Sequence, residues 1–272
     1  MRTIRLAVAA TAPFGAAVLE GLAGRHDLEL LLTRPDRAQG RGRRVAAPPA
    51  KEAALRLGIR VEQPERLREF PGEAAVVVVA AYGVLIPAGL LEERLWLNVH
   101  PSLLPRWRGA APVERAILAG DRETGVTIHR TTPELDAGPI AAQRAFPIGP
   151  GDDAGAIFER SARVAVELLE EVLPEPRFAP QPEEGVTYAE KLGPGDRELD
   201  WTRPSAENVN RVRALSPHVG AWGVVRGRRL IVWCARAAGP GAELAEGGVE
   251  LLEVQPAGRR RMTATEYLRG LR

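Results

Sequence analysis

The chain has 272 residues, 45% of them apolar and 26% charged, with a formal net charge of +2. That length suggests about two domains, and the composition is that of a globular chain rather than a disordered one. The single Cys234 excludes an internal disulfide and fits a reducing compartment, and the four scattered histidines form no cluster with zinc-ligand spacing. The charge is unevenly placed: residues 200–272 hold 12 Arg against 7 Asp/Glu, whereas residues 1–199 hold 25 basic and 28 acidic side chains. A basic C-terminal part on a neutral body suits a polyanionic partner, although a solvated basic face reads the same way on charge alone.

Arg2 and Arg5 precede an apolar stretch, but Pro13, Gly15 and Glu20 break it into strand, turn and helix rather than a signal peptide. Ile4 to Ala9 reads as a buried strand, Thr11 to Gly15 as a turn, Ala16 to Ala23 as a helix ending at Gly24, and Leu28 to Thr33 as a second strand. Strand, helix, strand with short links implies a doubly wound, mostly parallel Rossmann-like sheet. No G-x-G-x-x-G follows the first strand and no P-loop occurs, which disfavours dinucleotide or ATP chemistry. Residues 34–51 carry Arg34, Arg37, Arg41, Arg43, Arg44 and Lys51 against one acid, Asp36; with Gly40 and Gly42 they read as a flexible basic loop suited to phosphates. Glu52 to Leu57 is expected helical, Ile59 to Val61 and Ala74 to Ala80 are strands, and Ala88 to Glu93 is a short helix. The longest apolar run, Ala74 to Pro87, is too short and too punctuated to span a membrane, so a cytoplasmic protein without a membrane partner is expected.

Leu95 to Val99 forms the next strand, which alternation makes present Asn98 and His100 on one face before Pro101 stops it. An amide and an imidazole at a strand end sit where open α/β sheets place ligands. The amide can donate to a developing oxyanion and the imidazole can carry a proton. On the pair alone, two satisfied polar groups at a strand end is the simpler reading. Ala110 to Leu118 follows as a helix with Pro112 in its first turn, and Trp107 reads as a lid or as packing, packing being the simpler of the two. Gly125 to Ile128 is a short strand, and the loop after it carries Asp136, which beside His100 would orient the ring and favour imidazolium. Ile148 to Asp153 is a turn and Ala154 to Leu173 a long amphipathic helix. Pro174 to Pro182 and Gly193 to Gly195 look like linkers. Ala206 to Leu215 is helical, and Gly220 to Val225, Leu230 to Ala235 and Val249 to Val254 are strands.

Asn98-x-His100, Ser102-Leu103-Leu104-Pro105, Arg108-Gly109 and Leu135-Asp136-x-Gly138, in that order, resemble the formyltransferases that use 10-formyltetrahydrofolate. The longer strings SLLPRWRGAAP and AGDRETGVTI, with TYAEKL at 187–192 and QPAGRRRM at 255–262, are similar to the methionyl-tRNA branch of that family. The run Ala10-Thr11-Ala12-Pro13-Phe14 departs from the family's usual Gly-Thr-Pro after the first strand. The resemblance implies a formyltransferase with Asn98, His100 and Asp136 as catalytic residues and no metal. It places the folate cosubstrate against Tyr82, Gly83, Val84, Leu85 and Ile86, and against Ser102, Leu103, Leu104 and Pro105. The acceptor it implies is initiator methionyl-tRNA, contacted through Arg37, Arg41, Arg43, Arg44 and Lys51. It further implies a catalytic domain over 1–185, a linker over 186–200 and a tRNA-binding OB-type β-barrel over 201–272. That barrel is expected to be shortened, because little chain separates the Cys234 and Val249 strands. A monomer is expected. An amino-sugar nucleotide as acceptor is the alternative, which the run Thr127-Ile128-His129-Arg130 would suit. An RNA-binding module without turnover is a third reading.

Overall fold

A computed structural model of the protein describes residues 3–39 and 44–271. The elements up to the site are β1 (Arg5–Ala10), α1 (Pro13–Ala23), β2 (Asp27–Leu32), β3 (Arg37–Gln39), β4 (Arg44–Ala46), α2 (Pro49–Arg56), β5 (Arg60–Glu62), β6 (Val76–Ala80), α3 (Ala88–Glu93) and β7 (Leu95–His100). Then come β8 (Arg108–Gly109), α4 (Pro112–Leu118), β9 (Glu123–Arg130), β10 (Ile140–Pro147), α5 (Ala154–Val172), β11 (Tyr188–Ala189) and a 3₁₀ turn (Pro194–Arg197). The last elements are α6 (Ser205–Leu215), β12 (Ala221–Val225), β13 (Arg228–Ala237), β14 (Ala245–Glu246), β15 (Val249–Pro256), β16 (Met262–Thr263) and α7 (Ala264–Arg269).

Two compact units result, one from Met1–Arg108, Gly125–Ala145 and Phe158–Tyr188, the other from Gly109–Thr124, Phe146–Ile157 and Ala189–Arg272. The main sheet has seven strands in the order β10-β9-β7-β6-β1-β2-β5. From β5 across to β7 all pairs are parallel, and β9 then adds antiparallel to β7. The mostly parallel, doubly wound sheet expected from the sequence is therefore present. Strand β1 over Leu6–Ala10 and β6 over Val77–Ala80 are buried on both faces, which is why they read as apolar runs, whereas β2 is buried only over Leu30–Leu32. The order of connection reverses between β1 and β6, the switch point at which such sheets bind ligands.

Several local expectations are corrected. Helix α1 begins at Pro13 rather than Ala16, since proline is pre-organised for the first helical position and takes the first turn out of the predicted loop. The described ends of the basic stretch are paired rather than loop: β3 and β4 run antiparallel to each other. Strand β9 spans eight residues rather than four, and β10 was not anticipated. Its sequence IAAQRAFP is half exposed and poor in β-branched residues, so pairing with β9 forms it rather than local propensity. The stretch read as a linker after α5 is tied down, with Ala179 bridging to Ile140.

In the second unit, β12, β13, β15 and β14 make an antiparallel sheet, with β16 also pairing to β15. Among the described residues nothing joins β12 to β14 or β16, so the sheet is a curled half-barrel rather than a closed barrel. Leu230, Val232, Leu251, Val254 and Tyr267 fill its core against α6 and α7. Helix α7 also went unread, although Thr263 and Glu266 make a full capping box there: Thr263 Oγ1 accepts from Glu266 N at 3.2 Å and Glu266 Oε2 accepts from Thr263 N at 2.9 Å. No helix among the described residues is long and apolar enough to cross a membrane.

Candidate active site

The register between β7 and β9 builds the site. Asn98 lies opposite His129 and His100 opposite Thr127, so all four side chains share one face of the sheet. Their neighbours Leu97, Val99, Val126 and Ile128 are buried on the other face and hold that register, because a one-residue slip would exchange the two sets. Asp136 reaches the same place from the loop between β9 and β10. Asn98 Nδ2 donates to Asp136 Oδ1 at 3.2 Å, and Asp136 Oδ2 lies 3.6 Å from His100 Nδ1. The three residues singled out from the sequence thus converge.

Each ring's tautomer follows from its carbonyl partner, since a carbonyl only accepts. His100 Nε2 donates to Trp107 O at 2.8 Å, leaving Nδ1 as the lone-pair nitrogen toward Asp136. His129 Nδ1 donates to Arg130 O at 3.0 Å, so its Nε2 accepts from Asn98 Nδ2, also at 3.0 Å. His129 therefore fixes which end of the Asn98 amide is the donor. Its place directly opposite Asn98 depends on strand register, so the sequence alone did not mark it as a site residue.

Burial dominates the electrostatics of His100. Desolvation pushes its pKa below the ordinary histidine value, outweighing Asp136 and the Trp107 carbonyl, which raise it; the nearby His129 lowers it further. The expectation of a resting imidazolium is thus corrected: Asp136 acts in the predicted direction, but the enclosed site favours the neutral ring. A neutral His100 with an open Nδ1 can accept a proton, and Asp136 lies beside the cation that results.

Both loops flanking the ring hold a non-glycine residue in the left-handed region, Trp107 at φ 65° and Asp136 at φ 47°. Such backbones are strained and persist where the surroundings over-determine them. Trp107 N donates to Thr187 Oγ1 at 2.9 Å, and the Arg106 guanidinium covers the indole at 4.4 Å. The indole is half-buried, and the carbonyl is the group that meets His100. Gly138 is equally constrained, because a Cβ there would overlap the Arg130 carbonyl. Gly138→Ala should therefore destabilise the fold by roughly 1–3 kcal/mol through overpacking and also lower turnover by displacing Asp136. Thermal unfolding read beside turnover checks this; an unchanged Tm would contradict it.

The Ser102-Leu103-Leu104-Pro105 turn is held by Thr127. Its hydroxyl donates to Ser102 O at 2.7 Å and accepts from Leu104 N at 3.1 Å and Gln143 Nε2 at 2.8 Å. Ser102 and Leu104 are buried within the turn, whereas Leu103 and Pro105 are half-buried. In the run after β6, Tyr82 and Ile86 point into the core, and burial pushes the Tyr82 phenol up to about 12. Gly83 and Leu85 are exposed and Val84 is half-buried, so this run presents its backbone and the Leu85 side chain at the surface.

On the basic hairpin, Arg37 is exposed, Arg41 and Arg43 lie outside the described residues, and Arg44 is placed on β4. Lys51 sits in α2 and is ion-paired with Asp36 at 2.7 Å. Gln63 joins them, donating to Asp36 Oδ1 at 2.8 Å and to Arg34 O at 2.7 Å. Lys51 thus fastens the base of the hairpin, and its hydrogen bonds hold the Asp36 carboxyl below the usual range.

With this geometry in place, the relatives are informative. Residues 2–173 match the family described as formyl transferase, and residues 191–272 match the formyl transferase C-terminal domain. The methionyl-tRNA formyltransferase of Paracoccus denitrificans is 41% identical over 98% of each chain. That of Aromatoleum aromaticum is also 41% identical, over 98% of this chain and 94% of its own. Among solved structures, an N-formyltransferase from Helicobacter canadensis, in complex with folinic acid and dTDP-3-aminofucose, superposes with a TM-score of 0.67. It is 16% identical and covers 93% of this chain and 99% of its own, a likeness of fold alone. The chain belongs to the formyltransferase family, on its methionyl-tRNA formyltransferase branch.

Proposed function

We propose that the protein transfers the formyl group of 10-formyltetrahydrofolate to the α-amino group of methionine on initiator tRNA, with Asn98, His100 and Asp136 as its catalytic residues. The observation that carries this reading is the convergence of an amide donor, an imidazole and a carboxylate on one strand end. The amine attacks the formyl carbon, and its nitrogen gains positive charge as the carbonyl oxygen becomes an oxyanion. Asn98 Nδ2 turns the hydrogen now given to Asp136, the longer of its two bonds, toward that oxyanion. His100 Nδ1 takes the amine proton, and Asp136 stabilises the imidazolium formed. The oxyanion then collapses to the new formamide carbonyl, the C–N10 bond breaks, and the His100 imidazolium gives its proton to the departing N10, releasing tetrahydrofolate and restoring the neutral ring. The runs 82–86 and 102–105 border the folate.

The tRNA is engaged by Arg37, Arg41, Arg43 and Arg44 of the hairpin, with Lys51 holding its base, and by the basic C-terminal part. The division at 1–185, 186–200 and 201–272 belongs to the same proposal, as does a cytoplasmic place of work among charged tRNAs and folates. Replacing the four hairpin arginines with alanine should raise the KM for tRNA and leave the KM for folate unchanged. The salt dependence of log affinity should flatten by roughly 1 for each phosphate that is no longer neutralised. An unchanged salt slope would remove the hairpin from the tRNA interface.

A further inference from the structure

The ring of His100 is held from two sides by two strained loops, and one side chain ties those loops together. Gln181 Nε2 donates to the backbone carbonyls of Asp136 at 2.7 Å and Gly138 at 2.8 Å. Its Oε1 accepts from Arg108 Nε at 3.1 Å and Nη2 at 2.7 Å. Arg108 directly follows Trp107, whose carbonyl takes the His100 Nε2 hydrogen. The interactions close a ring: His100 to Trp107, along the chain to Arg108, across to Gln181, on to Asp136, and back to His100 Nδ1.

We infer that Gln181 is a positioning residue for formyl transfer, fixing Asp136 relative to His100 by fastening the Asp136 loop to the segment that holds the far side of the imidazole. The inference rests on the catalytic reading of His100 and Asp136 given above. Only an amide serves here. The two carbonyls need a donor and the guanidinium needs an acceptor, which glutamate, methionine or lysine cannot supply together. The need for such a tie follows from the loops themselves. Asp136 and Trp107 both hold left-handed backbones, and the carboxylate sits at 3.6 Å from His100 Nδ1, where a small displacement changes the interaction. Gln181 is half-buried beside an open cleft of about 570 Å³ that it shares with Arg108, Glu134 and Pro139, so replacing it seals no cavity into the core.

The test compares Gln181→Met, close in size but without hydrogen-bonding groups, and Gln181→Glu, which keeps the acceptor for Arg108 and loses the donor. Each is made in the wild-type and Asp136→Asn backgrounds, with Tm measured alongside kcat, both KM values and the pH profile of kcat. Both variants should fold with kcat lowered by about 10- to 100-fold, the scale expected of a displaced catalytic group, and with KM values changed far less. The acid limb of the profile should move to lower pH, because a displaced Asp136 no longer raises the His100 pKa. In the Asp136→Asn background neither variant should cost anything further. Wild-type kcat and an unmoved limb in Gln181→Met, with Asp136→Asn impaired, would overturn the positioning role alone. A full additional loss in the Asp136→Asn background would also overturn it. Wild-type turnover of Asp136→Asn itself would remove the catalytic reading and the inference with it.

Discussion

Replacing Asn98 with alanine lowers the turnover of formyl transfer by roughly 10²- to 10³-fold, the usual cost of losing one oxyanion donor. Its Nδ2 is the side-chain donor that the β7–β9 register carries to the strand end, and the His129 ring fixes the amino end of the amide there. The loss should appear in kcat rather than KM, because the oxyanion exists only in the transition state. Asn98 is half-buried and carries none of the apolar core, so Tm should change little. A steady-state assay of Asn98→Ala with both substrates saturating checks this, and a near-wild-type kcat would remove Asn98 from the chemistry.

The second large effect is at His100. His100→Ala should lower kcat by about 10²- to 10⁴-fold, the range for a positioned acid–base group. The pH profile discriminates further. Burial lowers the His100 pKa, so the neutral, proton-accepting form persists below the pH at which an ordinary histidine would be charged. The acid limb of wild-type kcat should therefore fall below about 6.5, the ordinary histidine value. Asp136 raises that pKa, so Asp136→Asn should move the limb lower still while reducing the rate. A limb above the ordinary value, or one unmoved by Asp136→Asn, would contradict this assignment of the base.

The sheet was legible where burial on both faces left a plain signal. Leu6–Ala10 of β1, Leu30–Leu32 of β2 and all of β6 are apolar, and the short links between β1 and β2 allow little but a parallel sheet. Strand β10 was not legible, because its stability comes from β9 rather than from its own residues. Helix α7 was legible in principle, since Thr263-x-x-Glu266 is a capping box written in the sequence. For the site, alternation placed Asn98 and His100 on one face, and the family resemblance supplied Asp136. Strand register and long-range pairing supplied the rest: His129 reaches Asn98 across a strand pair, and Gln181 reaches Asp136 from a stretch that read as a linker. The direction of the His100 pKa is hidden from the sequence for a related reason. A carboxylate neighbour can be inferred from a motif, whereas the depth of burial that outweighs it cannot.

The central claim is that this buried strand end moves a formyl group onto an aminoacyl-tRNA. The most direct measurement offers purified protein and 10-formyltetrahydrofolate to methionyl initiator tRNA and, in parallel, to an amino-sugar nucleotide, with Asn98→Ala as control. The account predicts formyl-methionyl-tRNA from the wild-type protein, its near-abolition in Asn98→Ala, and no formylated sugar. Transfer to the sugar alone would preserve the chemistry and overturn the acceptor, and tRNA binding with no transfer to either would contradict the catalytic reading altogether.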